Sequence, residues 1–298
     1  MNGTLTRTQF DILAALEESA EPISQREMAK RLEKSLGTVN KAIASLIELG
    51  FVAKGNRITA AGLEALEPYR VKRAVFIAAG FGSRLVPVTL NTPKPLVRVN
   101  GKRIIDTLLD AVLAAGIEDI VIVRGYLAEQ FDQLLYKYPM IKFLENPAFL
   151  EANNISSAMC ARYLLQNAYV FEADLVLSNP RLIRKYHYCS NFLGIPVGRS
   201  DDWCFTVKDG LIQTFRIGGV DCYQEVGISY WDEKDGAQLA ESIKNAYEQP
   251  GGKELYWDQV PFVPFNQYKV EIRPCTFEDI VEIDTFRELK AIDKTYDV

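Results

Sequence analysis

The densest chemistry in this chain lies in Ala78-Ala79-Gly80-Phe81-Gly82-Ser83-Arg84-Leu85 and, ten residues past Arg84, in Lys94 between Pro93 and Pro95. Glycines let successive backbone N–H groups approach an anion without hindrance from Cβ. Arg84 adds a rigid cationic fork and Lys94 a mobile point charge. Ala79, Gly80, Gly82, Ser83, Arg84 and Lys94 are thus suited to hold a nucleoside triphosphate and neutralise its α-phosphate during attack. The stretch lacks the Gly-Lys-Ser/Thr ending of a P-loop. It also misses the dinucleotide fingerprint, because Leu85 stands where a third glycine or alanine belongs. A Gly-x-Gly turn taken by itself is equally a plain tight turn. The basic residues argue otherwise, and the flanking prolines stiffen the segment that carries Lys94.

Residues 74–100, AVFIAAGFGSRLVPVTLNTPKPLVRVN, resemble the signature loop of the nucleotidyltransferases that make sugar nucleotides and CDP-alcohols. Within that superfamily the chain is most similar to the CTP:phosphocholine cytidylyltransferases of bacterial choline-decoration pathways. The likeness runs from residue 72 to about 295. It implies condensation of CTP with phosphocholine to CDP-choline and pyrophosphate, by in-line attack on the α-phosphate. Two anions must meet in such a step, which calls for positive charge and a hard divalent cation, Mg²⁺. Asp174 and Asp284 are the expected metal ligands. The family usually shows Asp-x-Asp at the first of these, where this chain has Glu172-Ala173-Asp174. Lys94 is expected on the acceptor phosphate or the α-phosphate, and Arg84 on the β- and γ-phosphates.

The nucleoside base is expected over residues 145–154. There Asn146, Asn153 and Asn154 offer the donors and acceptors that suit a pyrimidine edge, or else serve as turn residues with local hydrogen bonds. Acceptor binding is read from aromatic and acidic neighbours: Trp203 after Asp201-Asp202, and Tyr256-Trp257-Asp258. Aromatic faces with carboxylates suit a quaternary ammonium, which donates no hydrogen bonds and is held by cation–π attraction. Trp231 is expected in the core. One alternative is a sugar-1-phosphate nucleotidyltransferase. Another is a transcription regulator that senses nucleotide or phosphocholine through an enzyme-like domain.

These residues need a scaffold. Beyond residue 73 the pattern alternates: strands at 75–79, 119–123, 141–144 and 168–171, with helices at 104–115, 127–137 and 156–165. That rhythm predicts an α/β, Rossmann-like, mainly parallel sheet. Sites in such sheets lie at the carboxyl ends of strands, where the glycine turn and Asp174 fall. A domain over 71–298 is therefore expected, preceded by a different one over 1–70. In the latter, helices at 6–18, from Ser24, and over 36–49 precede a short hairpin at 51–58 and a helix capped by Thr59. This order resembles a winged helix-turn-helix. On a DNA-binding reading, Thr38, Asn40 and Lys41 would face the major groove, with Lys54 and Arg57 on phosphate. A dimerisation module is the competing reading, which would make the protein a homodimer.

Composition sets the outer bounds. The chain has 298 residues, 48% hydrophobic and 24% charged, with a net charge of −5, which excludes a protein that coats nucleic acid along its whole length. Residues 1–73 carry 11 Lys+Arg against 9 Asp+Glu, and the remainder 23 against 30. No apolar run approaches the roughly 18 residues a membrane span requires. The opening MNGTLTRTQFD lacks a signal-peptide core, so a cytoplasmic location without membrane partners is expected. Five cysteines, none in C-x-x-C spacing, read as small, mostly buried hydrophobes in a reducing compartment. The lone histidine, His187, excludes most Ser-His and Cys-His catalytic plans.

Overall fold

A computed structural model describes residues 4–19, 21–263 and 268–297. Its contacts divide the chain into two units: Met1–Arg70 with Tyr186–Tyr188, and Val71–Lys185 with Cys189–Val298.

In the first unit α1 (Arg7–Glu17), α2 (Gln25–Arg31) and α3 (Leu36–Glu48) lead into the two-stranded wing β1 (Val52–Ala53) and β2 (Arg57–Ile58), then α4 (Ala60–Leu66). Each helix start is specified locally, because Thr6, Ser24, Ser35 and Thr59 all accept a backbone N–H from their own first turn. Phe10, Leu13, Val39, Ile43 and Leu46 form the core. Tyr186–Tyr188 completes it: the Tyr188 ring stacks on Tyr69 at 5.6 Å and meets Phe10 at 5.4 Å. His187 is buried here. Along α3 the solvent-facing residues include Asn40, Lys41, Ala44, Ile47 and Glu48.

The second unit is a three-layer α/β domain. Its sheet contains β3 (Arg73–Ile77), β6 (Asp119–Arg124), β7 (Lys142–Glu145) and β8 (Ala168–Glu172), joined in parallel in the order β8-β3-β6-β7. Between β3 and β6 lie the small hairpin β4 (Arg98–Val99) and β5 (Lys102–Arg103) and the helix α5 (Ile104–Ala114). The helix α6 (Ile155–Ala161) and the short strand β9 (Leu175–Leu177) flank β8. A long antiparallel hairpin, β10 (Asn191–Lys208) and β11 (Leu211–Trp231), extends the sheet through β11 against β8. After α7 (Glu233–Glu248), β12 (Glu271–Pro274) pairs parallel to β10, β13 (Ile280–Glu282) pairs with β9, and α8 (Phe286–Ile292) follows.

Strands β3, β6 and β8 are buried on both faces, which explains their unbroken apolar runs. One core lies under α5, with Phe76 stacked on Phe171 at 4.7 Å. The other lies under α6 and α7 and includes Val75, Val170, Phe192 and Trp231. The expected helix at 127–137 is instead a run of 3₁₀ turns over Ala128–Tyr136. The one expected at 156–165 is α6 plus a 3₁₀ turn over Arg162–Leu164. Of the five cysteines, all free, Cys204, Cys222 and Cys275 are buried, Cys189 is intermediate and Cys160 is exposed. Among the described residues no helix is long and apolar enough to cross a membrane.

Candidate active site

The carboxyl ends of β3, β7 and β8 border a cavity of about 510 Å³. The glycine turn after β3 forms its floor, and Ala79, Gly80, Gly82, Ser83 and Arg84 all line it. Gly82 stands at φ +67°, where an added Cβ would lie 3.0 Å from Lys94 Cβ and 3.3 Å from Thr89 Cγ2. The absence of that Cβ lets the Lys94 segment fold back onto the turn. Thr89 Oγ1 locks the arrangement by donating to the Gly82 carbonyl at 2.9 Å.

Lys94 is the centre of charge. Its Nζ donates to Asp174 Oδ2 at 2.6 Å and to Asp284 Oδ1 at 2.9 Å, and Arg84 Nη1 reaches Asp284 Oδ2 at 2.6 Å. Burial by itself would lower the Lys94 pKa, but the two aspartates outweigh it and hold the ammonium above its usual range. The reciprocal holds at Asp284, where burial opposes ionisation and Lys94 overrides it, leaving the carboxyl below its usual value. Asp174 retains one buried oxygen, Oδ1, without a hydrogen-bond partner.

Sequence reasoning missed Glu282. Carboxylate oxygens of Asp174, Glu282 and Asp284 lie within 4.8 Å of one another. Burial, and then the neighbouring Asp174 and Asp284, push the Glu282 carboxyl up to about 10. The signal was available, since Glu282 and Asp284 stand two apart at the end of a strand, a spacing that puts side chains on one face.

The asparagines also line the cavity, but their amides are committed to protein partners. Asn146 bonds Ser156 and Ser157. Asn153 bonds the Glu254 carbonyl and the Asn154 N–H. Asn154 donates to Glu172 Oε1 at 3.0 Å and accepts the Trp257 N–H at 2.9 Å. The turn-and-positioning alternative therefore describes them, and base reading passes to the groups they hold.

At the other side Tyr256 is 42% exposed and lines the cavity. Trp203 meets it edge-on at 5.9 Å and stacks on Phe215 at 4.7 Å. Trp257 departs from expectation: it is 2% exposed and packs with Phe192 in the core, because its 3₁₀ turn directs the ring inward. Trp231 is fully buried, as expected. Asp258 is buried as well, and its Oδ1 has no partner. Burial pushes its carboxyl up to about 7, partly offset by the backbone N–H groups of residues 258 and 259. Glu172 and Glu225 are raised by burial and then by neighbouring carboxylates, with Asp258 acting on both. The result is a buried acidic basin beside Tyr256.

Comparison with known proteins agrees with this arrangement. Residues 73–189 match the nucleotidyl transferase family and residues 4–57 the MarR family. A 2-aminoethylphosphonate cytidylyltransferase of Lancefieldella rimae is 39% identical over 75% of this chain and 92% of its own length. A choline-phosphate cytidylyltransferase of Streptococcus pneumoniae is 29% identical over 74% of this chain and 97% of its own. The solved structure of CTP:phosphocholine cytidylyltransferase from Streptococcus pneumoniae superposes with a TM-score of 0.70 at 30% identity, over 76% of this chain and 99% of that one. With its glycine turn, Lys94 and paired aspartates in one cavity, and a MarR-type winged helix ahead of them, this chain belongs to the nucleotidyl transferase family, among its cytidylyltransferases.

Proposed function

We propose that the protein transfers CMP from CTP to a small phosphonate or phosphate acceptor that bears a primary ammonium, 2-aminoethylphosphonate being the prime candidate. The observation that carries this reading is the acidic basin of Glu172, Glu225 and Asp258, with the buried, unpartnered Asp258 Oδ1. An ammonium that donates N–H bonds satisfies such an oxygen, whereas a quaternary ammonium leaves it bare. The relative at 39% identity acts on 2-aminoethylphosphonate. Phosphocholine is the second reading, supported by the edge-on Trp203–Tyr256 pair, which suits cation–π recognition.

In the proposed reaction an acceptor oxygen attacks the α-phosphorus in line. The new P–O bond forms as the bond to the β-phosphate oxygen breaks, and its electron pair leaves with pyrophosphate. Lys94 spreads charge at the attacked phosphorus, and Arg84 holds the departing phosphates on the glycine turn. Asp174 and Asp284, with Glu282 beside them, are a hard oxygen donor set suited to Mg²⁺, which when bound would neutralise charge on the phosphates. The unpartnered Asp174 Oδ1 fits that role.

The test is pyrophosphate release with Mg²⁺, each of four NTPs, and 2-aminoethylphosphonate, phosphoethanolamine, phosphocholine or glucose-1-phosphate. Turnover with CTP and the primary amines, at least about tenfold above phosphocholine, is the expected result. A preference for phosphocholine would transfer the assignment to the second reading, and turnover only with the sugar phosphate would sink both.

A further inference from the structure

Asn146 follows β7 and is buried in one wall of the cavity. Its carboxamide has one orientation, because Oδ1 accepts the Ala148 N–H at 2.9 Å. Nδ2 therefore faces α6 and donates to Ser156 Oγ at 2.9 Å and Ser157 Oγ at 3.0 Å. Each serine spends a lone pair on Asn146 and has one proton left to place. Ser156 gives its proton to the Asn153 carbonyl at 2.8 Å. Ser157, 2% exposed, has no acceptor for its own among the described residues. A buried hydroxyl proton without an acceptor is costly unless a ligand takes it, and Ser157 lines the cavity.

The surroundings suit a flat ring. Phe149 and Ala152 are on the same wall, and Phe149 lies so close to Gly125 that an added Cβ there would stand 2.7 Å from its ring. The catalytic charges are elsewhere, with Asp174 just past β8, while Asn146 follows β7 two strands beyond β3. A nucleotide whose α-phosphate sits at Lys94 has this wall available for its base.

We infer that the Ser157 hydroxyl selects the nucleobase by donating to N3 of cytosine. The inference rests on the cytidylyl reading above and deepens it. N3 is an acceptor in cytosine and carries a hydrogen in uracil. Ser157 cannot adapt to uracil by reversing its bond, because Asn146 occupies one lone pair and no protein group is placed to take the displaced proton. Asn146 is then the residue that makes the serine a donor, although it does not touch the base itself.

The test is calorimetric measurement of Kd for CTP, UTP and 3-deaza-CTP, whose N3 is replaced by C–H, with Mg²⁺ and no acceptor. Wild-type protein should bind CTP about tenfold or more tightly than the other two. Ser157→Ala should bring all three within about twofold of one another, whereas Ser156→Ala should leave their ratios unchanged. Equal wild-type affinity for CTP and 3-deaza-CTP, with UTP still weak, would overturn the Ser157 assignment and needs no variant. Retention of the wild-type ratios by Ser157→Ala would overturn it too. A wild-type protein indifferent between CTP and UTP would instead remove the cytidylyl reading on which it rests.

Discussion

A Cβ placed on Gly82 would stand 3.0 Å from the Cβ of Lys94, so the glycine turn and the central lysine are parts of one packing unit. Gly82→Ala meets two penalties, the contact with Lys94 and Thr89 and a left-handed φ of +67°. The second costs about 1–2 kcal/mol. Thermal unfolding should show that loss of stability. Turnover should fall further than stability suggests, by about a hundredfold, since small displacements of positioned groups are costly. An active Gly82→Ala enzyme would mean that the turn tolerates Lys94 elsewhere.

Lys94→Ala removes the cation between Asp174 and Asp284. Turnover should drop by about 10²–10³. The two carboxylates left facing each other should then make the variant more dependent on divalent cations for stability than wild type. Melting temperature measured with and without Mg²⁺ reads this directly, and an equal Mg²⁺ increment in both proteins would count against it.

Asp258 links acceptor binding to pH. Its carboxyl is raised to about 7 in the folded chain from 3.8, so the folded state holds the proton more tightly than the unfolded state. This group therefore withdraws stability as pH rises from about 4 to 7, and a cationic acceptor restores what ionisation withdraws. KM for 2-aminoethylphosphonate should climb as pH falls below about 7. Asp258→Asn should flatten that profile, and should be more stable relative to wild type at pH 8 than at pH 5. A KM profile unchanged by the substitution would remove Asp258 from acceptor binding.

The winged helix offers little charge for nucleic acid. Thr38, Asn40 and Lys41 of α3 are exposed, as are Lys54 and Arg57 at the wing, so three cations face outward from the two elements that would meet DNA. Any affinity for duplex DNA should be weak, with a log–log salt slope of about −3 or shallower per domain. Fluorescence anisotropy across a salt series measures it, and a slope near −6 would require basic residues outside these elements.

Much of this arrangement was legible in the sequence because it is written locally. An apolar run followed by glycines gave β3 and its turn, and serine or threonine caps marked the first helices. Asp174 and Asp284 were visible as acids at strand ends. What stayed hidden depends on contacts between distant segments. Trp257 has the same composition around it as a binding-site tryptophan, and only the packing against Phe192 sends it inward. Ser157 looks like any helical serine until Asn146, eleven residues earlier, occupies its lone pair. The 3₁₀ run at 128–136 carries a helical apolar spacing, and its tighter winding has no signature in residue type.

Tyr186–Tyr188 belongs to the core of the winged-helix unit, although it is encoded more than a hundred residues after that unit's other strands and helices. The winged helix is therefore not a detachable prefix. A gene fragment cut at residue 70 would encode a protein missing part of its own interior, and a graft onto another enzyme would have to carry this distant tripeptide along. In evolutionary terms, one crossover cannot shuffle this module; the two halves of the gene are inherited as a pair.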